Sequence, residues 1–575
     1  MKNRSRKAEL LIEGMKKKLN RQIVGSLVAC VHCGMCTDSC HYVIANPDDP
    51  TFAPAYKADR MRKIFKRHYD WTGRVLPWWV GAKSVFTDED LEELKDIAFG
   101  KCTNCRRCTI NCPMGVDFAT FNRTMRGLLV SVGVMPEGVA VVSKDQWEIG
   151  NQMGVLPEDY LDTLEWMEEE MQSELDDPSA KIPIDKPDAK VLYTINPREI
   201  KYDPRTISKA AIIFHLAGED WTMPSEGWDM TNFGLFSGDD ALGGAVALRV
   251  YEKMKELRAK KVVISECGHG YRSTRCEGPN WSQTQQDFYM ESSVITMLDY
   301  IKEGRIKVDK SKNDKSYTFH DSCNNARSCG LFEEPRELLN YVVDDFREMY
   351  PNRNENFCCT GGGGAMSMSE YTPRRLKSGK VKADQLKATG AKVVVTSCHN
   401  CVDGLNDLIK HYKLDMEVTQ LVDLVADALI IPEKTKEKDI EVIEVKKDLP
   451  LTGKKILVID DEPDILVFFS SVLEDNGAEV IEATDGEEAL NKILAEKPDM
   501  ITLDINMPGK DGGWVFEKLR NNPDIQDTKV CIVTGRPELR RLIYDRPVPR
   551  PEGYLDKPVD EITLLTNVKK ILKIV

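Results

Sequence analysis

No run of eighteen apolar residues occurs in the 575-residue chain, so no segment is long enough to cross a bilayer as a helix. A surplus of positive charge is also missing: 79 Lys and Arg stand against 93 Asp and Glu, a net charge of −14. Phosphate backbones are held by basic faces, so nucleic acid is not expected as a partner. The N-terminus has no signal-peptide core, and the cytoplasm is the expected compartment. Cysteine, by contrast, occurs 17 times. With no export signal, and in C-x2-C spacings, these cysteines read as metal ligands and not as disulfides. The length calls for three or four domains.

Two runs share one spacing: Cys30-x2-Cys33-x2-Cys36-x3-Cys40 and Cys102-x2-Cys105-x2-Cys108-x3-Cys112-Pro113. This is the spacing of paired four-iron clusters in bacterial ferredoxins, where the fourth cysteine of each run ligates the other cluster. Cys30, Cys33, Cys36 and Cys112 are therefore assigned to one [4Fe-4S] cluster, and Cys102, Cys105, Cys108 and Cys40 to a second. Two zinc knuckles are the alternative, which two complete runs disfavour. His41 follows Cys40 where proline is usual, and is read as a local change of turn. The spacer exceeds sixty residues, and 88–99 and 118–132 have helical apolar spacing. An α-helical ferredoxin domain over 1–134 is expected, one that conducts electrons and has no open coordination position. Residues 2–21 carry eight Lys and Arg against two Glu, with Leu11, Met15, Leu19 and Ile23 at helical spacing. This helix is expected to pack on its own domain; an anionic membrane or another protein is the other use of such a face. Trp78 and Trp79 mark either an interface or a core.

Residues 135–187 read as a connector with one acidic helix near 157–174. Strands are predicted at 191–196, 211–214, 261–265, 317–319 and 392–396, with helical patterns between them. That alternation implies a mostly parallel sheet with function at the strand C-termini. Three such ends carry Cys267, Cys323 and Cys398. Five cysteines stand in the second half: His320-Asp-Ser-Cys323, Cys358-Cys359-Thr before four glycines, and Cys398-His-Asn-Cys401. Soft thiolates suit iron–sulfur clusters, although spacing alone supplies only a multi-thiolate metal site. The first half carries the same plan in decayed form. Asn196-Pro197 stands at the first cysteine position, 233–238 replaces the double-cysteine turn, and Cys267-Gly-His269-Gly270 replaces the closing C-x2-C. Cys267, followed by His269 and Arg272, is expected to have a lowered pKa and is a candidate catalytic thiol; a relic core cysteine is the alternative. His320 and His399 are expected to hydrogen-bond around the ligand cysteines. The tetraglycine is read as admitting backbone N–H groups to the sulfurs, in preference to cradling phosphate. Cys276 and Cys329 read as bystanders.

The five-cysteine pattern resembles the CCG domain of heterodisulfide reductases. That resemblance implies a noncubane iron–sulfur cluster on Cys323, Cys358, Cys359, Cys398 and Cys401, acting on sulfur–sulfur bonds. The order of helical ferredoxin, degenerate lobe (188–310) and intact lobe (311–432) is similar to the D-type subunit of heterodisulfide reductase. It is more similar to DsrK-type subunits, because this chain can build one noncubane cluster where heterodisulfide reductases use two. The resemblance implies a cytoplasmic subunit at the inner face of a membrane. It would take electrons from a cytochrome b or quinone-linked subunit and reduce a disulfide or trisulfide on a sulfur-carrier protein or small thiol.

A charged, proline-containing linker is expected at 433–453. Residues 454–575 resemble a two-component receiver domain: strands end at Asp460-Asp461, at Asp504, at Thr534 and before Lys557-Pro558. The resemblance implies that Asp504 accepts phosphate from a sensor histidine kinase and that Asp460, Asp461 and Asp504 hold Mg2+. Lys557 would pair with the phosphoryl group, with Thr534 and Tyr554 as the switch pair. Pro547, Pro549 and Pro551 fall where receivers build a fourth helix, and proline breaks helix interiors. The expected fold class is multidomain: an α-helical ferredoxin domain, an α/β CCG double lobe and a flavodoxin-like α/β receiver. Competing functions are a non-catalytic relay, a redox-sensing response regulator, and the iron–sulfur subunit of a hydroxyacid dehydrogenase, whose relatives usually keep both CCG sites.

Overall fold

The computed structural model describes residues 5–85, 87–431, 449–534, 548–557, 559 and 561–574. The chain forms two compact units, 1–433 and 434–575. Most of the expected linker lies outside the described residues, as does 535–547 with Pro547.

The first unit opens with helices. Ser5 caps Arg6–Lys18 by accepting the Ala8 N–H, and Leu11 and Met15 are buried on its inner face. The apolar period continues to Ile23, but a second cap at Asn20 splits it and starts Arg21–Ala29. Both helices pack into one core with Phe99, Phe121, Met125 and Leu128, so the basic helix does pack on its own domain. Helix Asp88–Lys95 begins in a Thr87/Asp90 capping box and runs into a π-helical turn, Asp96–Gly100, that delivers the second cysteine run. Asp117 caps Phe118–Val130 just beyond Cys112.

Two four-stranded sheets follow. β1 (Val191–Thr194), β2 (Trp221–Thr222), β3 (Lys261–Ile264) and β4 (Tyr289–Ser292) lie in the order β2-β1-β3-β4. β5 (Ser316–His320), β6 (Asp345–Phe346), β7 (Val393–Thr396) and β8 (Glu417–Gln420) repeat it as β6-β5-β7-β8. All pairings are parallel, with Val191 opposite Lys261 in one sheet and Tyr317 opposite Val393 in the other. The central strands β1 and β7 are buried at every residue, as a sheet covered on both faces requires.

The strand expected at 211–214 is not one. Those residues lie in helix Arg205–Leu216, where Ile207, Ala210, Ala211 and Phe214 share its buried side. A short apolar run does not separate a buried strand from a buried helix. The stretch expected as a connector holds two helices, Glu137–Glu148 and Pro157–Leu175. The second buries Tyr160, Leu164, Met167 and Met171 at helical spacing in the core shared by both lobes, so it is a layer of the lobe.

The ferredoxin core also takes in Phe233 and Phe236 from the first lobe and Ala365 and Met368 from the second. Gly127 and Gly238 meet there backbone to backbone: a Cβ on Gly127 would stand 2.2 Å from the Gly238 carbonyl oxygen.

In the second unit β9 (Lys455–Ile459), β10 (Glu479–Ala483), β11 (Met500–Asp504), β12 (Lys529–Thr534) and β13 (Gly553–Asp556) form a parallel sheet ordered β10-β9-β11-β12-β13. This is the doubly wound order whose ligand crevice lies at the C-terminal ends of β9 and β11. Pro549 and Pro551 lie in irregular chain before β13. Among the described residues no helix is long and apolar enough to cross a membrane.

Candidate functional site

The structure brings the two cysteine runs together crosswise. Cys30, Cys33, Cys36 and Cys112 line one cavity with Ala55 and Phe118. Cys40, Cys102, Cys105 and Cys108 line a second with Tyr42, Lys57 and Asn122. Backbone N–H groups already point at sulfur: Asn104 N lies 3.3 Å from Cys102 Sγ and Val116 N lies 3.4 Å from Cys112 Sγ. Four thiols around a cavity with N–H donors fit a cluster of the cubane kind. His41 does more than alter a turn. It starts helix His41–Ile44, and its buried ring lies against Cys105.

The five remaining candidate ligands gather at the C-terminal ends of β5 and β7. Ser322 caps a π-helical turn, Cys323–Ser328, that carries Cys323. Cys398 is the N-cap of helix His399–Tyr412, which places Cys401 one turn in. Cys359 Sγ is 3.2 Å from Cys401 Sγ, and His320, Cys359 and Cys401 offer donor atoms within 4.8 Å of one another. Thr360 N donates to Cys358 Sγ at 3.2 Å. The tetraglycine lets this loop wedge in. A Cβ on Gly363, where φ is +67°, would stand 2.5 Å from the Thr103 carbonyl oxygen, and one on Gly361 2.1 Å from that of Asn400. Hydrogen bonding with Cys358 and then Cys401 holds the Cys359 thiol well below the usual range, while that with Cys359 and then Cys398 pushes Cys401 up. His320 meets Asn356 Nδ2 at 3.2 Å, and His399 Nε2 meets Glu199 Oε1 at 2.9 Å. The Thr360 hydroxyl, His399 Nδ1 and Asn325 Oδ1 are buried here with no hydrogen-bond partner among the described residues. Five thiols and such unpartnered polar atoms fit a multi-thiolate cluster.

The second quartet and the five-cysteine group share a wall. Thr103 Oγ1 is 3.4 Å from Cys358 Sγ, and the Cys105 and Cys358 side chains are hydrogen-bonded.

In the receiver unit, Asp460 follows β9 and Asp504 ends β11, both almost fully buried. Oxygens of Asp460, Asp461 and Asp504 lie within 4.8 Å of one another, a spacing that fits a hard divalent cation. Lys557 Nζ bridges Asp504 Oδ2 (2.7 Å) and Asp460 Oδ2 (2.8 Å). Thr534 ends β12, and Tyr554 lies in β13.

Family models match three segments: the 4Fe-4S dicluster domain at 26–116, the Cysteine-rich domain at 317–406 and the Response regulator receiver domain at 456–569. The Hdr-like menaquinol oxidoreductase iron-sulfur subunit 2 of Archaeoglobus fulgidus is 26% identical over 472 residues, covering 74% of this chain and 83% of the relative. The D-type subunit of the dihydromethanophenazine:CoB–CoM heterodisulfide reductase of Methanosarcina mazei is 27% identical over 421 residues, covering 72% and 96%. The chain joins a heterodisulfide-reductase-like iron–sulfur body to a receiver domain. The receiver segment is also 36% identical over 129 residues to the transcriptional regulatory protein PrrA of Mycobacterium tuberculosis, covering 22% of this chain and 53% of the relative.

Within the iron–sulfur body the first lobe keeps the frame of the second. Asn196 caps Pro197–Tyr202 where Ser322 caps the turn of Cys323, so Pro197 occupies the place of Cys323. Cys267 caps Gly268–Tyr271 as Cys398 caps its helix. The expected lowering of the Cys267 pKa does not hold. Burial pushes this thiol well above its usual range, with the neighbouring Cys398 adding to the effect. His269 Nδ1 does lie 3.4 Å from its sulfur, but Arg272 turns to Glu277 Oε1 at 3.0 Å. Cys267 is buried in the core of the first lobe.

Sequence reasoning passed over the basic residues around the thiols. Arg126 is fully buried and donates to four carbonyl oxygens: Ala98 (2.9 Å), Cys102 (2.7 Å), Phe236 (2.8 Å) and Gly363 (2.6 Å). Arg107 holds Ser39 O at 2.7 Å, and Arg327 holds Cys105 O at 2.6 Å. Lys382, also fully buried, donates to Asn356 Oδ1 at 2.5 Å, and burial brings its pKa down to about 7 against the pull of Cys359 and Asp321. Basic side chains that are buried or half-buried with few carboxylate partners fit a site for anionic metal–thiolate groups. The one local cue was the Arg106-Arg107 pair inside a cysteine run.

Proposed function

We propose that this chain is the iron–sulfur subunit of a membrane-associated oxidoreductase that reductively cleaves a sulfur–sulfur bond. The observation that carries this reading is the shared wall: Thr103 and Cys105 of one quartet touch Cys358 of the five-cysteine group. Cys30, Cys33, Cys36 and Cys112 would hold one [4Fe-4S] cluster, and Cys40, Cys102, Cys105 and Cys108 the second. Cys323, Cys358, Cys359, Cys398 and Cys401 would hold the noncubane cluster. The bound clusters supply one-electron transfer and, at the five-cysteine group, an iron site that binds sulfur. The overall step takes two electrons and two protons: the S–S bond breaks and two thiols are released. Arg126, Arg107, Arg327 and Lys382 fix the loops and offset negative charge. The electron source is a quinol, as the name of the Archaeoglobus relative suggests, or a cytochrome b subunit. Docking is supported by an exposed apolar turn, in which Trp71, Trp78 and Trp79 are 74%, 75% and 80% exposed and Val75 and Leu76 are also open. In the receiver, Asp460, Asp461 and Asp504 would hold Mg2+. Asp504 would take phosphate from a histidine kinase, and Lys557, Thr534 and Tyr554 would respond.

Electron paramagnetic resonance tests the reading, on anaerobic oxidised protein titrated with thiols and a persulfide or trisulfide carrier. A new signal that requires both the thiol and Cys359, lost in Cys359→Ala, is expected. Cubane signals indifferent to any thiol would replace this reading with a relay.

A further inference from the structure

Two cysteines outside all three groups lie side by side. Cys276 is in the π-helical turn Arg272–Glu277 of the first lobe, and Cys329 caps the turn Cys323–Ser328 of the second. Their sulfurs are 3.7 Å apart across 53 residues of sequence. Cys276 is exposed and Cys329 half-buried. A disulfide needs about 2.05 Å between sulfurs, so side-chain rotation and a small shift of the turns close the gap.

We propose that Cys276 and Cys329 are a redox-active dithiol that a small disulfide oxidises to a bridge between the lobes. Cys276 is the attacking thiol because it is the more exposed of the two. Its pKa is brought down to about 7, first by the hydrogen bond from Cys329 and then by Arg275 and Arg272, against burial and Glu277. Cys329 is pushed up as the donor of that bond and by burial. The Cys276 thiolate attacks one sulfur of the incoming disulfide and expels the first thiol. Cys329 then attacks Cys276 Sγ, loses its proton to solvent and expels the second. One disulfide is reduced to two thiols, and two protein thiols become one disulfide. The bridge would clamp the turn of Cys323 to the turn of Arg272, whose Nη1 already bonds Asn324 Oδ1 at 3.3 Å. This inference is independent of the cluster reading, since neither thiol belongs to a candidate ligand set.

The test uses the full-length, cluster-loaded protein, equilibrated anaerobically at set ratios of reduced to oxidised glutathione, acid-quenched, alkylated and mapped by peptide mass. Loss of both alkylated peptides together, with gain of a 276–329 linked peptide, is expected. Cys329→Ser should instead accumulate glutathione on Cys276, while Cys276→Ser leaves Cys329 free. Both thiols alkylated at every ratio, or a lasting glutathione adduct on Cys276 in the unaltered chain, would overturn the proposal. The unaltered chain decides it even if a variant fails to load clusters.

Discussion

Replacing Arg126 with Met should break the joint between the helical domain of the two cysteine quartets and both lobes. The side chain is fully buried, and its four hydrogen bonds end on carbonyls of the ferredoxin domain, the first lobe and the tetraglycine. Methionine fills much of the same space but takes a donor from all four acceptors, of which Ala98 O alone keeps another, Asn122 Nδ2 at 2.9 Å. Hydrogen bonds to a charged group contribute roughly 1.5–3 kcal/mol each. Against their sum stands the cost of keeping a guanidinium out of water, which is several kcal/mol. A net loss of about 3–5 kcal/mol is therefore expected. The assay is anaerobic urea unfolding of the loaded protein, followed by visible cluster absorbance, with receiver tryptic fragments as an internal control. Arg126→Lys, with one head group for four carbonyls, should fall between. A midpoint for Arg126→Met within about 0.5 kcal/mol of the unaltered protein, the scale of surface substitutions, would refute the argument.

Lys382→Met should shift the five-cysteine centre to more negative potential by on the order of 60 mV, equivalent to about 1.4 kcal/mol for one electron, in a redox-poised resonance titration; an unmoved midpoint counts against its charge-offsetting role. Glu266 accepts the Leu421 and Val422 N–H groups at 3.1 and 3.0 Å, and burial raises its pKa to about 8. Its stabilising contribution is thus whole below its ordinary value and lost as pH rises toward 8, at up to about 1.4 kcal/mol per unit. The first unit should unfold at lower urea at pH 8 than at pH 6, and Glu266→Gln should flatten that slope. Radiolabelled acetyl phosphate with Mg2+ should label the chain; chelating the metal or introducing Asp504→Asn should abolish labelling, and label persisting in Asp504→Asn would place the acceptor elsewhere. Trp78→Ala with Trp79→Ala should reduce sedimentation with native membranes about tenfold while leaving cluster content unchanged, and equal sedimentation would remove that turn from the docking face.

How much of this could be read in the sequence follows the range of the interactions. The cysteine runs are local, and ligand spacing carries its own geometry, so the crossed quartets and the decayed first lobe were visible before any fold was known. The run 211–214 misled because four apolar residues have no period long enough to separate helix from strand. Arg126 was invisible for another reason. It sits inside an ordinary helix, and two of its acceptors lie 110 and 237 residues away. Lys382 likewise looks like any lysine on a helix until the fold encloses it. The Cys267 expectation failed because sequence neighbours were weighed and desolvation was not. His269 and Arg272 are close in the chain, but the surrounding core decides the thiol.

The matching strand orders of the two lobes describe a doubled fold whose copies differ in their loops. Where the second lobe gathers five thiols, the first offers Phe233 and Phe236 against Gly364, and Glu199 and Glu266 to His399 and helix Leu421–Ala428 of its twin. The first copy acts as a mould: it presses the irregular loops of the second into one shape. Drift in the first copy would register as a mis-set thiol group in the other, without touching one of its five thiols.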